Sequence, residues 1–103
     1  MNMSEPLRAA FIFIAPEGDP EQHRSWVRTP QVHLLAVSVA DYAQAEILAK
    51  ELVDKENIAA IELCGGFGNA GTARIAACVD VPVGVVRFDL HPGLGNVSGD
   101  ELF

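Results

Sequence analysis

Residues 58–78 constrain this chain more than any other stretch. A short apolar run, Ile58 to Cys64, meets a glycine-dense turn, Gly65-Gly66-Phe67-Gly68-Asn69-Ala70-Gly71, and an alanine-rich segment follows. The pattern predicts a strand, a tight turn and a helix over Thr72 to Val79. Glycine is needed where φ is positive or where another group must come close to the backbone. The first amides of a helix have no partners within it, so such a turn can hold an anion.

The rest of the chain repeats the strand–helix alternation. Leu7 to Ala15 is apolar almost throughout, as in a strand covered on both faces. Asp19-Pro20-Glu21-Gln22 has the makings of a helix start, with Asp19 as N-cap and Pro20 at the first helical position, and Thr29-Pro30 would stop that helix. Val32 to Val39 predicts a second strand. Asp41 caps a longer helix over Tyr42 to Glu56, whose Ala45, Leu48, Ala49 and Leu52 share one face. Val83 to Phe88 predicts a fourth strand, and Asp89 to Phe103 is a turn-rich tail, expected to pack on the domain or on a partner subunit.

The expected fold is therefore a single α/β domain over residues 1–103. It has a small four-stranded, mainly parallel sheet in the order β-α-β-α-β-α-β, a flavodoxin-like half with a half-barrel as the alternative. Either arrangement leaves one sheet face under a single short helix. That predicts a homo-oligomer, a dimer or higher, to bury the remainder.

Composition removes several partners. Seven Lys and Arg against fourteen Asp and Glu give a net charge of −7, which argues against nucleic acid and anionic membrane. No apolar run approaches the ~20 residues of a membrane span. No basic region followed by an apolar stretch opens the chain, so no secretion signal is expected, and Cys64 and Cys78 read as reduced thiols of a cytoplasmic protein.

Two sets of residues can carry chemistry. Gly65, Gly66, Gly68, Asn69 and Gly71 form a backbone cradle for a small anionic molecule, with Arg87 as countercharge. Gly66-x-Gly68-x-x-Gly71 is formally a dinucleotide fingerprint with Asp89 after the next strand, but only a tail follows where the second half of that crevice belongs. The second set is Glu62, Cys64, Asp89 and His91, all expected near the strand C-termini. Glu62 is a carboxylate in an apolar strand that needs a partner or a raised pKa, with Arg87 the natural partner. With His91, Glu62 or Asp89 would make an acid/base pair of a lyase or isomerase, and Cys64 beside a helix N-terminus a nucleophile. No spacing matches a metal site, and no cofactor is specified.

The blocks Glu62-Leu63-Cys64-Gly65-Gly66-Phe67-Gly68-Asn69 and Val81-Pro82-Val83-Gly84-Val85-Val86-Arg87-Phe88-Asp89-x-His91-Pro92-Gly93-Leu94 resemble the signature of a microbial family of small uncharacterised proteins. The opening Ala9-Ala10-Phe11-Ile12-Phe13 and the ending Ser98-Gly99-Asp100-Glu101-Leu102-Phe103 are similar too. The resemblance implies a compact cytoplasmic single-domain protein and no activity. From the residues, the leading expectation is binding of a small anionic metabolite at the glycine turn. The alternatives are an acid/base enzyme and a structural or interaction module without ligand.

Overall fold

A computed structural model describes residues 5–103; the reading of the first residues as free of a signal falls largely outside them. The strands are β1 (Leu7–Ile14), β2 (Arg24–Arg28), β3 (Val32–Val39), β4 (Ala60–Leu63) and β5 (Val83–Val85). Helix α1 (Tyr42–Glu56) lies between β3 and β4, and α2 (Asn69–Cys78) between β4 and β5. Two short 3-10 turns, Pro92–Leu94 and Gly99–Glu101, shape the tail. The sheet order is β2-β3-β1-β4-β5, parallel except for the β2–β3 pair.

The expected four-stranded alternation is corrected at one element, and the fourth strand, expected over Val83 to Phe88, stops at Val85. Residues 24–28 form a strand, not a helix. Asp19 does start a turn, with its carboxylate accepting the N–H of Glu21 and its carbonyl that of His23, but the turn stops there. Arg24-Ser25-Trp26-Val27-Arg28 alternates with period two and carries strand-forming Trp and Val. Pairing it antiparallel to β3 sets Trp26 beside Leu35, where it packs against the core. The guanidinium carbons of Arg8 and Arg28 lie 4.6 and 4.8 Å from the Trp26 ring centre. Nine residues of isolated helix would have buried far less.

That change decides the layering. The four predicted strands keep the order second-first-third-fourth, but the helix expected between the first two is gone. The remaining crossovers, β3-α1-β4 and β4-α2-β5, run in the same direction across the sheet, and their shared handedness puts both helices on one side. There Ala10, Ile12, Leu35, Val37, Ile61 and Leu63 meet Ala45, Leu48, Leu52 and Ile75 in one buried cluster.

Side chains alternate across a strand, so the other residues of each strand face the opposite way. Leu7, Ala9, Phe11 and Phe13 of β1 register with Val32, Leu34, Ala36 and Ser38 of β3 on that second face. Val27 of β2, Glu62 of β4 and Gly84 of β5 share it. Neither α1 nor α2 covers it, and Val27 is 58% exposed. Only its upper corner is roofed, where the turn at Gly18 comes down on Ser38.

Candidate functional site

The glycine turn sits at the C-terminal ends of the strands, as its sequence predicts, and α2 begins at Asn69. Gly68 is the N-cap and has no side chain to offer the first amides. The cap comes from the tail. Asp100 Oδ2 accepts the N–H of Ala70 at 2.9 Å and Oδ1 that of Gly71 at 2.9 Å. The Tyr42 hydroxyl donates to Asp100 Oδ1 at 2.9 Å and accepts the N–H of Gly68 at 3.0 Å. A carboxylate at a helix N-terminus is the anion that these amides and the helix dipole favour.

The electrostatics of this cluster are mutually adjusted. Burial pushes the Tyr42 hydroxyl up to about 12, and the Asp100 carboxylate beside it adds to the rise. Partial burial would raise the Asp100 carboxyl, but the N–H groups of Ala70 and Gly71 and the Tyr42 hydroxyl outweigh it and hold the group below its ordinary value. Both shifts favour one state, a neutral phenol bonded to an ionised carboxylate.

The glycines are accounted for by the same packing. A Cβ at Gly68 would strike the Asp100 carboxyl, and one at Gly71 would strike the Tyr42 ring. A Cβ at Gly99 would run into the carbonyl of Gly66, which is backbone and has nowhere to go. Phe67 is buried, stacked on Tyr42 with ring centres 5.3 Å apart, and Phe103 closes over Tyr42 at 6.0 Å. The expected open cradle is filled by the protein's own side chains. Sequence reasoning missed Asp100 and Tyr42; the only trace is an acid after a serine near the chain end, thirty residues from the amides that it caps.

The other predicted residues do not converge. Arg87 pairs with Asp89, Nε to Oδ1 at 3.1 Å, in a largely exposed bridge, so it is not the partner of Glu62. His91 Nδ1 accepts the N–H of Gly93 at 3.0 Å, and its ring leans on Phe88 at 4.7 Å. Cys64 Sγ accepts the N–H of Ile14 at 3.3 Å and of Gly66 at 3.2 Å, closing the crevice between β1 and β4. Glu62 points from β4 onto the uncovered sheet face, exposed, with no hydrogen-bond or ion-pair partner among the described residues. No bond links it to His91, Asp89 or Cys64. Among the described residues no group of three His, Cys, Asp or Glu could hold a metal ion. No helix there is long and apolar enough to cross a membrane.

Clefts also lie outside the rim, among them one of about 330 Å³ where Phe13 and Ala36 of the open face meet Gln22 and His23. Another of about 530 Å³ runs between the Pro20–Arg24 turn and α1, away from every predicted site residue. A third, about 330 Å³, lies beside Glu62 and is walled by Phe11, Leu63, Gly84, Val85 and Val86.

The model of a family of unknown function, DUF6506, matches residues 7–101. The chain belongs to that family. No curated protein and no solved structure matches the chain. Membership spans β1 to the Asp100 cap and includes both Glu62 and the glycine turn, and it assigns neither a reaction nor a ligand.

Proposed function

We propose that the chain acts as a self-associating module, a homodimer closed through the uncovered face of its sheet. The observation that carries this reading is that both helices lie on one side, leaving half-buried Phe11 and Leu34 and exposed Val27 and Val32 on a face that neither helix covers. Strands ~4.8 Å apart with ~3.3 Å per residue give that face roughly 450 Å² per copy. Two copies closing on each other would remove about 1,000 Å² of accessible surface once the standing side chains are included, which is where specific interfaces begin. A second copy also answers the exposure with the same apolar chemistry on both sides.

The test is sedimentation at micromolar concentration. A dimer is expected, and Val27→Lys, at a position already exposed, should shift it toward monomer. A strictly monomeric profile for the unaltered protein ends this reading.

A second reading treats the glycine turn as an anion receptor whose resident occupant is Asp100. What favours it is the pair of 2.9 Å bonds from Ala70 and Gly71 to a carboxylate. A small anionic metabolite would then have to displace the tail. Asp100→Ala should gain thermal stability from phosphate, sulfate or a small carboxylate where the unaltered protein gains less. No stabilisation of either protein by any of these anions removes the proposal. The Glu62, Asp89, His91 and Cys64 enzyme reading has no such contact in its favour.

A further inference from the structure

The cleft beside Glu62 has three properties that belong together. Its carboxylate has no partner among the described residues, although it stands on a sheet face whose other strand residues are apolar, small or hydroxylic. Its lining includes the apolar side chains of Phe11 and Val86. Across from Glu62, in register on β5, stands Gly84, where a Cβ would meet nothing within 4 Å.

Gly84 is the informative residue. Its φ is not in the left-handed region, and no neighbour would collide with a side chain there. A glycine inside a strand weakens it, and commonly marks a place where a ligand or another backbone comes close. At the rim, Gly65, Gly68, Gly71 and Gly99 each face a group of this chain that occupies the space. At Gly84 the space is empty, and the unpaired carboxylate borders it.

The geometry points to a binding site here for a small organic cation, a primary or substituted ammonium carried on an apolar body. Glu62 supplies the countercharge, Phe11 and Val86 receive the apolar part, and Gly84 leaves room for it. A volume near 330 Å³ fits a fragment-sized ligand. A bare metal ion does not suit it, because hard cations need six or more oxygen ligands and Glu62 is the one carboxylate in the lining. The site is complete in one chain and does not rest on self-association. If two copies do close over the face, the ligand would also neutralise a carboxylate that is otherwise costly to bury.

The test uses 2-phenylethylamine as probe, with 2-phenylethanol as neutral isostere and phenylacetate as anionic counterpart. Binding is followed by chemical-shift changes in the full chain, with the oligomeric state measured in parallel by sedimentation. Saturable shifts centred on Glu62, Gly84 and Phe11 are expected for the amine. The alcohol should bind about two- to fivefold more weakly, as should the amine to Glu62→Gln, and phenylacetate not at all. Gly84→Val, which narrows the cleft and leaves the charge, should weaken amine binding. Equal affinity for amine and alcohol, or amine binding undiminished in Gly84→Val, would each overturn the assignment. The same titration on Val27→Lys, whose face is open as a monomer, keeps the two proposals apart. Amine binding to the variant but not to a dimeric unaltered chain means occlusion by the second copy, and no binding to either up to the amine's solubility limit overturns the site.

Discussion

The glycine turn and the open sheet face each combine glycine with a carboxylate, and they differ in what completes them. At the turn, Gly68 faces Asp100, and the carboxylate takes two amides and a phenol from its own chain. On the face, Gly84 borders Glu62; a Cβ on the glycine would meet nothing within 4 Å, and the carboxylate has no hydrogen-bond or ion-pair partner among the described residues. The same residue types therefore have opposite meanings. A glycine that a neighbour crowds is explained by folding, and a glycine with space around it is not. The dense motif attracts attention in the sequence because glycines cluster there, yet it is the solitary Gly84 whose reason lies outside the chain.

The sharpest way to break this contrast is at Gly99. Its Cβ would meet the backbone carbonyl of Gly66, so no rotamer change can relieve Gly99→Ala. Overpacking of this kind costs about 2–3 kcal/mol unless the tail detaches. Chemical denaturation should show the loss. Where the tail detaches instead, the amides of Ala70 and Gly71 should lose hydrogen-exchange protection. A stable variant with those amides still protected would mean that the rim is not closed by the tail.

A smaller effect is expected at Asp100. Removing a helix cap costs about 1 kcal/mol, and Asp100→Ala should lose that much. The pH dependence has a definite sign. Asp100 titrates below its ordinary value, so its contribution is present above the unfolded pKa and disappears as pH falls through the lowered folded one. Tyr42 is the opposite case, raised to about 12, with its contribution present below an ordinary phenol's 10 and lost as pH climbs through 12. It is the only tyrosine, so phenolate absorbance reports it alone. Folded protein should stay colourless at 295 nm well past pH 10, and Asp100→Ala should bring the transition down. An unchanged tyrosine titration would separate the two groups that the rim joins.

What the sequence allowed depended on how local each cause was. The apolar runs of β1 and β3 and the Asp41 cap with its apolar stripe are local, and α1 falls at Tyr42–Glu56 as the pattern predicts. Residues 24–28 misled because Asp19-Pro20 is a sound helix start that leads into one turn, while the pairing with β3 that wins is tertiary. Cap logic looks one turn back from a helix, and there it finds Gly68. The Asp100 cap is thirty residues downstream, invisible to any local rule. Arg87 shows the reverse: the expected fourth strand would set it near Glu62, but that strand ends at Val85 with Gly84 opposite Glu62, and Asp89, two residues on, is within reach of the guanidinium. Glu62 itself was legible as an anomaly, and its lack of a partner was not.

The smallest predicted effect bears most directly on the face. Gly84→Ala adds one methyl group where nothing lies within 4 Å, so no contact of the folded chain is disturbed. The backbone conformation suits any residue, and the unfolded state loses some freedom, so the change should be neutral or slightly stabilising, within about 0.5 kcal/mol. Gly68→Ala, the matched control, pushes a methyl into the Asp100 carboxyl and should cost clearly more. Measured side by side in urea, the pair isolates crowding from glycine as such. If Gly84→Ala proved as destabilising as Gly68→Ala, the space beside Glu62 would be filled in solution by part of this chain or its copy. Glycine there would then be a packing requirement like the others. If it is neutral, folding has no need of Gly84, and the reason for a glycine opposite an unpaired carboxylate has to be sought in what comes to the face from outside.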